Sequence, residues 1–212
     1  MAACDQRIDA HLNTFADCHT GQQPIARRER SKPKDNVPIF DVQGQVYRIS
    51  GPDLTRVEGI DSYTVQKRVS EVGLDMTPWK NGKRFASWLR LCLGSKISGG
   101  KLLSSRSNSS ANLAAFALRL VVHSPHNSKS APGAYLRRMK ACFGAQKAIT
   151  ATAHKLARLV YGMLRCGTRY VDKGQDWYEQ QYRSRVAANL HHRTKSMGYR
   201  LVSVEDTIAS RT

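Results

Sequence analysis

The sequence predicts a mainly α-helical protein, and two kinds of observation carry that prediction. Apolar residues recur at three- and four-residue spacing, most regularly in Ile149, Ala153, Leu156, Val160 and Met163, which share one face of a helix. Glycines close several such windows, Gly94 after "FASWLRLCL" and Gly144 after "PGAYLRRMKACF", where a left-handed residue ends a helix.

Taken in order, residues 4–18 read as a helix with a thin stripe of Ile8, Leu12 and Phe15. "GQQPIARRERSKPKDN", residues 21–36, is polar and basic with two prolines, and reads as a linker or exposed loop. Residues 40–51 fit either a short extended piece or a helix. From Leu54 to Gly73 the layout is that of a helix-hairpin-helix, with Leu54 and Val57 before Gly59-Ile60 and Val65, Val69 and Val72 after it. Asp61 or Ser62 is placed to cap the second helix. A glycine in such a turn lets backbone N–H groups reach a phosphate, so Gly59 is a candidate phosphate contact. An ordinary helical hairpin packed in a core explains the same residues. Phe85 to Gly94 reads as a buried helix, Ala111 to His123 as a strongly apolar one, and Pro132 to Gly144 as a short one. In the helix after Gly144, His154, Lys155, Arg158 and Arg165 fall opposite the apolar face. A polar, aromatic-rich helix runs from Gln175 to about Ser196, and the tail from Ser203 is loose. There, Trp177, Tyr178 and Tyr182 read as packing residues with base stacking as the alternative, and His191-His192 as a solvated pair.

Charge narrows the function. The 212 residues carry 34 Lys+Arg against 16 Asp+Glu, a formal net charge of +18. Such a surplus calls for a polyanionic partner, nucleic acid first. No run approaches a membrane span, the N-terminus lacks the plan of a signal peptide, and a cytoplasmic setting follows. Five scattered cysteines with no C-x-x-C pair argue against a disulfide scaffold or a zinc ribbon. Between Met76 and Val171 there is no Asp or Glu but seventeen Lys and Arg. A segment of one sign repels itself unless counter-charge arrives from outside. It also cannot hold Mg²⁺ by itself, because hard cations take carboxylate oxygens.

Inside that segment, residues 96–110, "KISGGKLLSSRSNSS", pack six serines, two glycines and three basic residues into fifteen positions. The spacing from Gly94 to Gly100-Lys101, with Leu102 next, fails the G-x-x-x-x-G-K-[ST] pattern, so a nucleotide triphosphate site is rejected. A flexible linker and a loop that presents a reactive hydroxyl both remain open.

Four stretches, "FASWLRLCLGSKISGGKLL", "AAFALRLVVHS", "PGAYLRRMKACFGAQKAITATAHKLARLVYGML" and "YVDKGQDWYEQQYRSRV", resemble the C-terminal half of transposases of the IS-one-ten family of insertion sequences, which includes IS-one-sixteen and IS-nine-oh-two. The resemblance runs from about residue 40 to residue 202, with the helix-hairpin-helix included. It implies an RNA-guided DNA recombinase in which an N-terminal RNase-H-like domain holds Mg²⁺ and the C-terminal domain donates a serine. The serine before the two glycines is Ser98, expected to attack a scissile DNA phosphate and form a phosphoserine link. Lys96, Lys101, Arg106 and Arg119 are expected to neutralise the phosphate, and Gly99 and Gly100 to let backbone approach DNA. No cofactor is expected in this chain; DNA, a structured guide RNA and further copies of the protein, as dimer or tetramer, are the expected partners. The expected domains are a linker helix and basic linker at 1–45, remaining after a missing RNase-H-like domain, a helix-hairpin-helix at 46–75, a helical transposase domain at 76–202 and a tail at 203–212. Two departures stand out: Asp61 where glycine is usual, and a serine-rich Ser104 to Ser110. The alternative is a basic protein that binds nucleic acid without catalysis.

Overall fold

Side-chain oxygens start most of the helices. In a computed structural model describing residues 2–18, 40–92, 96–104 and 112–202, Asp41, Asp61, Asn81, Asn112 and Ser130 each accept a hydrogen bond from the backbone N–H three residues on, which satisfies a donor the helix leaves unpaired. The helices are α1 (Ala2–Leu12), α2 (Val42–Ser50), α3 (Ser62–Val72), α4 (Gly82–Trp88), α5 (Leu113–Val121), α6 (Ala131–Phe143), α7 (Ala145–Cys166) and α8 (Gly174–Ser196). Two 3-10 turns, Leu54–Arg56 and Ser124–Asn127, and one antiparallel hairpin of β1 (Lys96–Ser98) and β2 (Lys101–Ser104) complete the described elements. The protein is mainly α-helical.

The core is one cluster. α7 runs through it, burying Ala153, Leu156, Val160 and Met163 with Ile149 half-buried, and α4, α5 and α6 pack around it. Val42, Val46, Leu54, Val57, Ile60 and Val65 belong to the same cluster, and α3 packs on α5. Residues 46–75 therefore share their core with 76–202, and the boundary at 46 falls inside α2. α1 adds nothing to this core. Ile8 and Phe15 stay exposed, and α1 is instead held to α2 by polar contacts. Arg48 donates from Nη1 to the Phe15 carbonyl at 2.9 Å and from Nη2 to the Leu12 carbonyl at 2.8 Å, capping the end of α1.

Two element expectations change. The first helix of the expected helix-hairpin-helix is a single 3-10 turn, Leu54–Arg56. The helix expected to run to Gly94 ends at Trp88. There Arg90, at φ +55°, takes the left-handed position, the Leu91 N–H bonds the Ala86 carbonyl at 3.0 Å and the Arg90 N–H bonds the Ser87 carbonyl at 2.8 Å. This is a Schellman closure with buried Leu91 as its apolar clasp. Gly94, Arg106, the linker 21–36 and the tail from Ser203 lie outside the described residues.

Candidate nucleic-acid interface

The fold answers the charge problem of the acid-free segment by importing carboxylates from its flanks. Glu71 on α3 accepts from the Leu113 N–H at the start of α5, 2.9 Å away. Asp172 accepts from the Ala131 N–H at the start of α6, at 3.1 Å, and from the Gly174 N–H at 3.0 Å. Neither α5 nor α6 carries an acidic residue in its own first turn, and a carboxylate there complements the helix dipole. Asp41, Asp53, Asp61 and Asp75 are likewise engaged with backbone N–H groups. Among the described residues no three His, Cys, Asp or Glu side chains converge into a metal-holding group.

Ser98 stands at the tip of the hairpin. Gly99 at φ +55° and Gly100 at φ +77° both take left-handed backbone, the two-residue turn whose twist matches paired strands. A Cβ on either glycine would meet nothing within 4 Å, so the positive φ alone, and no steric contact, favours glycine there. The register sets Ser98 opposite Lys101, and both are exposed. Lys96 opens β1 opposite Ser104. Ile97 and Leu103 are also exposed, and among the described elements no helix packs closely on the hairpin. Residues 96–104 of the stretch expected as a linker or loop are thus an exposed two-stranded finger, and residues 105–110 lie outside the described residues. Among the described residues no histidine or carboxylate hydrogen-bonds Ser98.

Gly59 and Arg119 are not part of that finger. Gly59 has φ +85°, and a Cβ there would sit 2.8 Å from the Val121 carbonyl and 3.0 Å from the Ser124 Cβ. The glycine is needed because the turn presses on the end of α5. Its neighbour Asp61 places a carboxylate on the first turn of α3, accepting from the Thr64 N–H at 2.9 Å, where a phosphate was expected. These features fit the alternative of a packed helical hairpin. Arg119 lies half-buried on α5.

A second basic region, on α6, α7 and α8, was legible only as the polar face of α7. The Lys155 Nζ lies 4.3 Å from the Tyr135 ring centroid and 5.1 Å from that of Tyr178, while the Arg138 guanidinium lies 3.3 Å from that of Tyr182. Tyr135 and Tyr178 meet edge to face at 6.0 Å. Cation–π contact of this kind compensates partly for lost water. Burial, then the Arg185 and Arg158 guanidinium groups, hold Lys155 below the usual lysine range. Burial and Arg158 likewise lower the neighbouring His154. Of the three aromatics on α8, Tyr178 is buried, Tyr182 is half-buried and Trp177 is exposed with the Lys173 Nζ 4.6 Å from its ring. His191 and His192 are exposed.

None of the described helices is long and apolar enough to cross a membrane. No family model and no curated protein matches this chain.

Proposed function

We propose that this chain is a DNA-recombination module of the kind its sequence resembles, holding nucleic acid with the basic residues of its acid-free segment and offering Ser98 to a scissile phosphate. The observation that carries the reading is the placement of Ser98. It is exposed on a finger that stands off the core, beside a two-glycine turn and opposite Lys101, within ninety-six residues of a single charge sign. In the proposed step the Ser98 Oγ–phosphorus bond forms as the bond from phosphorus to one deoxyribose oxygen breaks, and the leaving oxygen takes up a proton. The hydroxyl proton passes to a base supplied from outside the described residues, since a serine hydroxyl needs activation. Lys101 lowers the cost of charge building on the phosphate oxygens. Attack by a hydroxyl of a second strand would reverse the link and free Ser98. Mg²⁺ on a separate RNase-H-like domain would supply Lewis-acid chemistry, and a structured RNA would choose the sequence. Several copies would assemble on DNA, nucleoid-bound in a bacterial cytoplasm.

The test is strand exchange on element-end DNA with guide RNA, Mg²⁺ and an RNase-H-like domain supplied. Ser98→Ala should abolish exchange while leaving DNA binding intact; exchange that persists in Ser98→Ala overturns the nucleophile. A second reading, nucleic-acid binding without catalysis, is supported by the formal net charge of +18, which asks for a polyanion and no nucleophile. It predicts that Ser98→Ala is silent in every assay.

A further inference from the structure

A concavity of about 520 Å³ opens between the start of α4 and the middle of α7, and none of its lining residues is one that the sequence singled out for nucleic-acid contact. Its lining includes Gly82, Lys83, Lys155, Arg158 and Tyr161, and none of its described lining residues is acidic. The shape is fixed by tight packing. A Cβ on Gly82 would sit 3.2 Å from the Tyr161 Cδ1 and 3.5 Å from the Arg158 Cα, so α4 lies directly on α7. The Tyr161 hydroxyl donates to the Trp79 carbonyl at 2.6 Å, and Arg165 donates to that carbonyl at 3.0 Å and to the Tyr161 hydroxyl at 2.8 Å. These bonds brace the rim.

Within the described residues no carboxylate pairs with Lys83, Lys155 or Arg158. Lys155 and Arg158 lie near enough to repel, and Arg185 on α8 adds to the same field. Lys83, Lys155 and Arg158 are all exposed, and like charges gathered in one acid-free concavity repel unless an anion joins them. The flanking carboxylates that neutralise the segment elsewhere are spent on helix starts. We propose that this cleft is a seat for a backbone phosphate of duplex DNA, gripped by Lys83, Lys155 and Arg158. Arg158 offers a planar fork suited to two phosphate oxygens, and Lys155, which also lines the cleft, adds a second positive charge. The inference rests on the nucleic-acid part of the function proposed above, and does not depend on Ser98.

The test measures binding of a mixed-sequence 30-base-pair duplex between about 50 and 200 mM salt by fluorescence anisotropy, in a Ser98→Ala background. Each phosphate contact contributes about 0.9 to the slope of log K against log salt. Lys83→Gln with Arg158→Gln should lower the slope by about 1, which makes the loss of affinity over that fourfold salt range roughly fourfold smaller. Arg158→Lys with Lys83 kept should retain the slope. Arg193→Gln with Lys195→Gln, at the far end of α8, should leave the slope as it was. Inorganic phosphate, added at constant ionic strength, distinguishes a free-phosphate site: tight, saturable binding lost with the cleft variant would replace the backbone reading. A slope unchanged by the cleft variant, or lowered equally by the control, overturns the site while leaving the wider function standing. Duplex binding absent from the wild-type chain overturns both.

Discussion

Replacing Gly99 by alanine should loosen the finger that carries Ser98 without touching the core. The magnitude follows from the backbone. Gly99 sits at φ +55° and Gly100 at φ +77°, with open space where a Cβ would go. The cost is therefore conformational only, about 1 kcal/mol per alanine and about 2 kcal/mol for both. A two-stranded hairpin that packs closely on no helix has little stability in reserve. The loss should appear as a rise in hairpin opening, about fivefold for one alanine and about thirtyfold for two. Amide hydrogen exchange at Ser98 and Lys101, the pair that closes the turn, reads it directly. Gly99→Asn should behave like wild type, because Asn-Gly is a favoured pair in this turn. The melting temperature of the whole protein should not move. Unchanged exchange in Gly99→Ala would show that the turn is not held at positive φ. A fall of several degrees in melting temperature would show that the finger is part of the cooperative core.

Two helix glycines should respond in opposite directions. A Cβ on Gly133 would fall on the Pro125 carbonyl oxygen and 2.8 Å from that of Ser128, so Gly133→Ala should cost about 2 kcal/mol and lower the melting temperature by about 4–8 °C. Gly162 on α7 has nothing within 4 Å, and Gly162→Ala should gain up to about 1 kcal/mol in the same scan. His154 is held below its ordinary 6.5 by burial and Arg158. The unfolded chain therefore binds the proton more readily, and stability present above pH 6.5 is lost as pH falls below it. Urea unfolding at pH 7.5 and 5 should show that loss, and His154→Gln should reduce it. Arg48→Met should speed amide exchange in α1 by about tenfold through two lost hydrogen bonds, with no change in global unfolding, because α1 is outside the core.

The helices were legible where a long apolar face had a single period. α7 is the clearest instance: the residues assigned to its inner face are those that pack the core. Stops were less legible, because the chain used Arg90 at a left-handed position where glycine is the usual signal. The hairpin was hidden by its composition. Six serines in fifteen residues read as a linker or an exposed loop, although Gly99-Gly100 is itself a hairpin-turn pair. Gly59 was legible as a turn glycine, but its close approach to Val121 is a long-range contact that no local pattern reports. The same holds for Glu71 and Asp172, whose carboxylates reach helix starts about forty residues away in sequence. The cleft depends on α4 lying against α7, a long-range contact, so periodicity offered only a basic stripe.

Covalent trapping tests the central claim most directly. The chain is mixed with labelled element-end DNA, Mg²⁺, guide RNA and a supplied RNase-H-like domain, then denatured and examined for a protein–DNA adduct. The account predicts an adduct whose peptide map places the phosphodiester on Ser98 and which disappears in Ser98→Ala. An adduct that survives Ser98→Ala, or salt-sensitive DNA binding with no adduct in the complete mixture, would contradict it.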